Sequence, residues 1–243
     1  MKNRYSAFLL PMTFLFIQGC SADSKPYLEG SLDPAIRTED LLSRMTLEEK
    51  VGQMVQFSSP SNIALVKYWG KKNNQIPQNP SISFTLSESL TTTSVEFKPK
   101  KNKVNSVIFE FYGIKDHEFG QKIKLFISNI EKYFSFLKNH DINIKSENNF
   151  PHSSGIASSA SSMSALASCL VDIEKINSNE KDDSYYLKKK SFIARLGSGS
   201  ASRSIEGPIT LWGESKSFPG SSDLYAINTV SYTHLTLPTI CSV

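Results

Sequence analysis

A glycine- and serine-rich turn in front of a helix-like segment most constrains what this chain can fold into. The run from Pro151 to Ser161 reads PHSSGIASSAS. A turn of this kind that enters a helix presents free backbone N–H groups at the positive end of the helix dipole, where phosphate binds. We therefore predict a phosphate-binding loop at this point of the chain, and a phosphorylated ligand.

The residues behind the loop distinguish it from a flexible linker. Apolar residues recur at steps of four and three, at Ile156, Ala160, Met163, Ala167 and Leu170. This spacing is typical of a helix packed on a core, whereas a serine-rich linker has no reason to keep it. No Gly-Lys-Ser/Thr follows the loop, so the pattern is not a Walker motif.

Two further segments narrow the interpretation. The run from Ser59 to Lys71 reads SPSNIALVKYWGK, and the run from Arg195 to Ser204 reads RLGSGSASRS. The loop resembles the phosphate loop of the galactokinase, homoserine kinase, mevalonate kinase and phosphomevalonate kinase superfamily. With the other two segments in the same order, roughly residues 58 to 228 resemble the diphosphomevalonate decarboxylase family within it.

The resemblance implies an α/β (α+β) fold of the ribosomal protein S5 domain 2-like type, with the family's C-terminal ferredoxin-like domain missing. Local patterns agree with strands over 62–69, 81–86, 92–98 and 104–111, and with an amphipathic helix from Phe119. The implied reaction is ATP-dependent decarboxylation of mevalonate 5-diphosphate to isopentenyl diphosphate. ATP is then a co-substrate, Mg²⁺ is expected, and the intact family forms a cytoplasmic homodimer.

The resemblance also implies roles for individual residues. Tyr68 and Lys71 would bind the substrate diphosphate, with Trp69 and Gly70 shaping the strand end; core packing is the alternative for the two aromatic residues. Arg195 would hold the substrate carboxylate, a task that suits a planar guanidinium. Its alternative role is to complement the dipole at a helix C-terminus. Ser202 and Arg203 would hold the diphosphate, and Asn62 would position a neighbouring side chain.

The helix start supplies the remaining residues of the implied site. Its substrate-binding members are Ser158, Ser159, Ala160, Ser161, Ser162 and Met163, with Met163 contributing only its backbone. The ATP-phosphate loop would use Gly155, Ser158, Ser159 and Ser161, with Ser159 and Ser161 as hydroxyl donors.

Two features of the family pattern are missing from this sequence. The family's catalytic aspartate lies in an Asp-x-Gly-Pro-Asn motif, and the 243 residues end before it. No substrate-contacting arginine is evident between Glu118 and Lys122, where Lys122 could partly replace it. We therefore expect the chain alone to be an inactive fragment with no catalytic residue of its own.

The two ends of the chain resemble other things. Residues 1–20 have the layout of a signal for export, with a lipoprotein-like site at Cys20, and residues 21–57 resemble the start of a family 3 glycoside hydrolase. Residues 229–243 resemble an adapter-derived tail. We expect a chimera in which residues 58–228 form the decarboxylase N-terminal domain. The alternatives are another small-molecule kinase of the superfamily and an exported lipoprotein without a catalytic domain.

Composition bounds the partners and the metal chemistry. A net charge of +4 with 21% charged residues gives no reason to expect a nucleic-acid partner. The three cysteines lie far apart without a C-x-x-C pair, and the four histidines have no metal-ligand spacing. We predict no metal site formed by protein ligands, no disulfide framework and no membrane association of the decarboxylase segment.

Overall fold

A computed structural model describes residues 25–45, 54–100, 106–115, 117–151, 155–176, 178, 180 and 182–229. The signal-like segment and the tail from residue 230 lie outside them. The described residues fall in two compact units, which separate after Met45. In the first, a 3-10 turn at Pro26–Leu28 precedes helix α1, Pro34–Arg44, and Asp33 caps α1 by accepting a hydrogen bond from the Ala35 N–H at 2.7 Å.

The second unit is built on a mixed sheet flanked by helices. Among the described residues its strands are β1 (Met54–Val66), β4 (Ser81–Pro99), β5 (Val107–Phe111), β6 (Ile114–Lys115), β7 (His140–Asn148), β8 (Ile209–Trp212) and β9 (Ala226–Asn228). Strands β2 (Lys71–Lys72) and β3 (Ile76–Pro77) form a separate small hairpin. The helices are α2 (His117–Ile130), α3 (Ser158–Ile176) and α4 (Asp183–Gly197), with 3-10 turns at Asn73–Gln75, Glu131–Tyr133, Ser135–Asn139 and Gly199–Ser204.

Strand β4 organises the sheet. It pairs with β1 along most of its length, and on its other side with β7 near its end and with β8 near its start. The order runs β6-β5-β7-β4-β8-β9, with β1 beside β4, and only the β5–β7 pair is parallel among the described strands. The mixed α/β fold predicted from the sequence is confirmed.

The segments 81–86 and 92–98 are strands, as predicted, but they form one continuous strand instead of two. Strand β1 pairs with both, and its register shifts between Pro60, which pairs with Leu90, and Ser61, which pairs with Leu86. The strand predicted over 62–69 ends at Val66, which leaves Lys67–Gly70 as a loop at the end of β1.

Helix α3 is the central helix of the core. It contacts β1, β4 and α4, and the predicted apolar stripe is buried at Ala160, Met163, Ala167 and Leu170. Helix α2 buries Ile123, Phe126 and Ile130 as its spacing predicted. It ends at Ile130, so the buried Leu137 belongs to the 3-10 turn Ser135–Asn139, and the buried Phe134 lies between the two 3-10 turns.

Candidate functional site

A cavity of about 390 Å³ lies where the end of β1, the start of α3 and the 3-10 turn Gly199–Ser204 meet. It brings together four of the residues predicted from the sequence, Asn62, Tyr68, Gly155 and Arg203. Its other lining residues are Ile63, Ala64, Lys67, Ala157 and Ser200. Gly155 and Ala157 of the loop that leads into α3 therefore form part of the cavity wall.

The approach to α3 is a tight loop held against the sheet. Gly155 has φ +81° and Ala157 has φ +49°, both in the left-handed region. The Ser61 hydroxyl on β1 donates to the Ile156 carbonyl, and the Ala160 N–H donates to the Ala157 carbonyl at 2.8 Å. Because the first turn of a helix leaves N–H groups without intrahelical partners, the loop offers donors and a positive dipole end to an anion.

Arg203 is a buried cation. Its side chain is 2% exposed, and burial lowers its pKa to about 10. It donates to the Ser81 hydroxyl and, from Nη2, to Asn62 Oδ1 at 3.3 Å. Its guanidinium carbon lies 5.5 Å from the ring centre of Tyr68 and 5.8 Å from that of Trp212.

The charge of Arg203 has no anionic partner in the part of the chain that the structure describes. No carboxylate there forms an ion pair with it, and its Nε has no hydrogen-bond acceptor. A buried charge is costly unless it is paired. The cavity is therefore suited to an anionic ligand.

Asn62 fixes the side chain of Arg203. While Oδ1 accepts from Arg203, Nδ2 donates to the Ser204 hydroxyl at 2.7 Å and to the Ser200 carbonyl at 3.1 Å. These contacts agree with the predicted role of Asn62 in positioning a neighbouring side chain, which stays a prediction.

The aromatic pair after β1 divides between two environments. The Tyr68 ring packs edge-on against Trp212, with centres 5.0 Å apart. Trp69 is 88% exposed, and its backbone N–H donates to Asn79 Oδ1 at 2.8 Å. Core packing is therefore wrong as an explanation of Trp69 and holds in part for Tyr68.

Gly70 and Lys71 complete this segment. A Cβ on Gly70 would lie 2.9 Å from the end of the Gln78 side chain, which would have to shift to make room for it. The Lys71 ammonium donates to Gln75 Oε1 at 2.5 Å and lies 5.8 Å from the Tyr68 ring centre. Its side chain is exposed beside the cavity wall that Tyr68 forms.

The helix-start residues point in different directions. Ser159 is exposed and Ser158 is half-buried, whereas Ala160 and Met163 lie in the hydrophobic core. The hydroxyls of Ser161 and Ser162 both lie within hydrogen-bond distance of the Ser158 carbonyl, at 3.0 and 2.9 Å. Ser161 is fully buried and its hydroxyl also contacts that of Thr91 at 2.6 Å.

Arg195 lines a different cavity, of about 450 Å³, together with Asn74, Lys132 and Leu224. It sits in the last turn of α4, where its Nε donates to the Leu224 carbonyl at 2.8 Å and Nη1 to the Asn74 carbonyl. Burial lowers the pKa of Arg195. Ser202 lines neither cavity; it is buried, and its hydroxyl donates to the Gly199 carbonyl at 2.8 Å.

Several residues at the site were not singled out from the sequence. Lys67 and Ser200 line the cavity, and both stand inside motifs already quoted, so the signal was present. Thr91 belongs to no motif, and only pairing in the sheet places it under α3.

Lys122, named in the sequence as a partial replacement for an arginine, forms an exposed ion pair with Glu118 at 3.3 Å on α2.

The described residues contain no group of three or more His, Cys, Asp or Glu side chains that could hold a metal ion. Within the same residues, no helix is long and apolar enough to cross a membrane.

Comparison with known proteins identifies the family. The model of the diphosphomevalonate decarboxylase-like N-terminal domain matches residues 59–226. The chain belongs to this family. All three sequence motifs and the cavity fall within the matched residues, so the resemblance found in the sequence is confirmed.

Individual relatives agree. The chain is 33% identical over 195 residues to the diphosphomevalonate decarboxylase of Ganoderma lucidum. The aligned region covers 73% of this chain and 45% of that protein. Among solved structures, the mevalonate diphosphate decarboxylase of Staphylococcus aureus matches with a TM-score of 0.59 and 32% identity, over 74% of this chain and 52% of that one. The enzyme of Enterococcus faecalis matches with a TM-score of 0.57 and 33% identity, over 72% and 52%.

The chain spans about half the length of the relatives it matches. A related structure is described as a complex with MVAPP, AMPPCP and magnesium.

Proposed function

We propose that residues 58–228 form the ligand-binding N-terminal domain of a diphosphomevalonate decarboxylase, which binds mevalonate 5-diphosphate and ATP. The observation that carries the proposal is the buried, carboxylate-free guanidinium of Arg203, which shares a cavity with Gly155 and Ala157 of the loop that leads into α3. A guanidinium and a helix N-terminus are two of the strongest anion-binding groups that a protein has. A diphosphate matches both.

The roles of the residues follow from their positions. Arg203, held by Asn62 and stacked on Tyr68, binds the substrate diphosphate. Lys71 and Lys67 add mobile positive charge from the loop after β1. The N–H groups of the first turn of α3, with Gly155 and the exposed Ser159, receive the phosphates of ATP.

Arg195 lies in the other cavity and makes different contacts. Its hydrogen bonds to two backbone carbonyls connect the 3-10 turn Asn73–Gln75 to Leu224. To bind a substrate carboxylate, the Arg195 guanidinium would have to break these hydrogen bonds, or its N–H groups would have to donate to the carbonyls and the carboxylate at the same time. We keep the carboxylate role as a proposal that requires this rearrangement.

Mg²⁺ accompanies ATP in this proposal without a cluster of protein ligands. The described residues hold no group of carboxylates for it, so the ion would be bound through the nucleotide's phosphates. Its chemistry is to neutralise phosphate charge during transfer. The residues of this chain bind and orient the two anions.

The 243 residues alone would bind ligands without turnover. The chain spans about half of its relatives, and it has no Asp-x-Gly-Pro-Asn segment for the catalytic aspartate. By the same likeness we propose a cytoplasmic location for the decarboxylase segment and a homodimer for the intact protein, with residues 21–53 and 229–243 foreign to it. Residues 54–57 were predicted as part of the foreign segment, but they belong to β1 and pair with β4.

Isothermal titration calorimetry of the 243-residue chain tests the binding. We expect saturable binding of mevalonate 5-diphosphate and of MgATP, and no binding of unphosphorylated mevalonate. Equal heats from mevalonate and its diphosphate would contradict the anion-binding role. A release assay for carbon dioxide tests the second part, since ATP-dependent release by this chain would contradict the expected lack of turnover.

A further inference from the structure

Buried hydroxyls connect the start of α3 to the sheet beneath it. Ser59, Thr91 and Asn148 are direct neighbours across β1, β4 and β7, and each is at most 7% exposed. On α3, Ser161 and Ser164 lie three residues apart and so face the same way. The Ser164 hydroxyl pairs with that of Ser59 at 2.6 Å, and the Ser161 hydroxyl with that of Thr91 at 2.6 Å.

The available acceptors determine which of these hydroxyls donates in each hydrogen bond. The Thr91 hydroxyl donates to Asn148 Oδ1 at 2.8 Å. A hydroxyl has one proton, so in the Thr91–Ser161 pair the donor is Ser161. The other acceptor within reach of Ser161 is the Ser158 carbonyl at 3.0 Å. Either way its proton is used inside the protein, and its side chain is fully buried.

We propose that Thr91 is a positioning residue, which fixes the phosphate-binding turn of α3 through Ser161. This proposal rests on the proposed function of that turn. Ser161 then acts as an anchor rather than as a ligand donor, and the exposed Ser159 supplies the hydroxyl that reaches phosphate. A helix start held in place before the anion arrives loses less entropy on binding.

Thr91→Val tests the anchor, because valine keeps the shape of threonine and removes its hydroxyl. We expect T91V to bind MgATP about tenfold more weakly, because Ser161 loses its contact with the sheet and one hydrogen bond contributes enough free energy for a change of that size. Thr91→Ser keeps the hydroxyl and should restore binding. Hydrogen–deuterium exchange should show faster exchange in residues 156–161 of T91V.

Thr93→Val is the matched control. Thr93 stands two residues along the same strand and faces the same way, is 1% exposed, and its hydroxyl pairs with that of Ser146 at 3.0 Å. It lies one row further from the phosphate loop. T93V should lose comparable stability while keeping the wild-type affinity for MgATP and wild-type exchange in residues 156–161.

The outcomes separate the two proposals. If the wild-type chain binds no MgATP, the proposed function fails, and the exchange data alone then decide whether Thr91 anchors the turn. If T91V and T93V show the same hydrogen–deuterium exchange in residues 156–161 and the same affinity for MgATP, Thr91 has only a structural role and the inference is overturned. Should T91V fail to fold, Ser161→Ala removes the same contact from the helix side and must give the same faster exchange.

Discussion

Replacing Arg203 by methionine tests whether the fold holds a buried cation for an anionic ligand. The side chain is 2% exposed and its pKa falls to about 10. Relative to a free guanidinium with a pKa of about 12.5, this corresponds to a cost of about 3 kcal/mol for keeping the charge inside the ligand-free fold. Because the pKa is lowered on folding, the cost is fully present below pH 10 and disappears as the pH rises above it.

Methionine keeps much of the length and removes the charge. It also leaves the Ser81 hydroxyl and the Asn62 amide oxygen without their donor, at roughly 1 kcal/mol each. The loss of these two hydrogen bonds largely offsets the free energy gained by removing the buried charge. We therefore expect the unfolding free energy of ligand-free R203M to stay within about 2 kcal/mol of the wild type, instead of falling by the roughly 3–5 kcal/mol of a broken buried ion pair.

Urea unfolding followed by circular dichroism, with and without excess pyrophosphate, measures both quantities. Pyrophosphate should raise the unfolding midpoint of the wild type and leave that of R203M unchanged. Arg203→Lys should keep part of the shift, because lysine retains the charge but not the planar fork. A loss above about 3 kcal/mol in ligand-free R203M would reveal an anionic partner within the chain, and an undiminished pyrophosphate shift would refute the role of Arg203.

Three further predictions follow from the same geometry. Ser159→Ala should weaken MgATP binding severalfold by calorimetry, whereas Ser162→Ala, whose hydroxyl donates to its own helix, should leave the affinity unchanged. Gly199→Ala should lower both the melting temperature and the affinity for mevalonate 5-diphosphate, because its Cβ would lie 2.7 Å from the Trp212 ring; a wild-type melting curve would contradict this. Burial raises the pKa of Cys169 to about 12, so peptide mass spectrometry should show no alkylation of this thiol at pH 8 until urea unfolds the chain.

Much of the fold was readable from local patterns. The apolar stripe of α2 predicted which face is buried, because a helix packed on a sheet repeats its contacts every three to four residues. On α3 every residue from Ala160 to Val171 is buried, so its stripe marked only part of the buried surface. The residues at which strands begin and end were harder to predict from the sequence. The merging of 81–86 and 92–98 into β4 depends on β1, a strand distant in sequence, and no local pattern records that pairing.

The site divides in the same way. Glycine and serine before an apolar stripe predicted the phosphate loop, and the family resemblance of the quoted motifs implied roles for Asn62, Tyr68 and Arg203, which line the cavity. The side-chain environments were not readable. Identical serines at positions 159 and 161 differ because helical geometry turns one outward and the other onto Thr91.

By itself the sequence determined which groups are available: a helix start rich in N–H donors, two arginines in a glycine-rich segment, and an apolar core to carry them. Tertiary structure alone decided that Arg203 is buried beside the phosphate loop while Arg195 closes a second cavity onto backbone carbonyls. The physical reason is that burial and pairing of a charge depend on residues more than a hundred positions away, such as Ser81 and Asn62 for Arg203. Only the folded sheet brings these residues into contact.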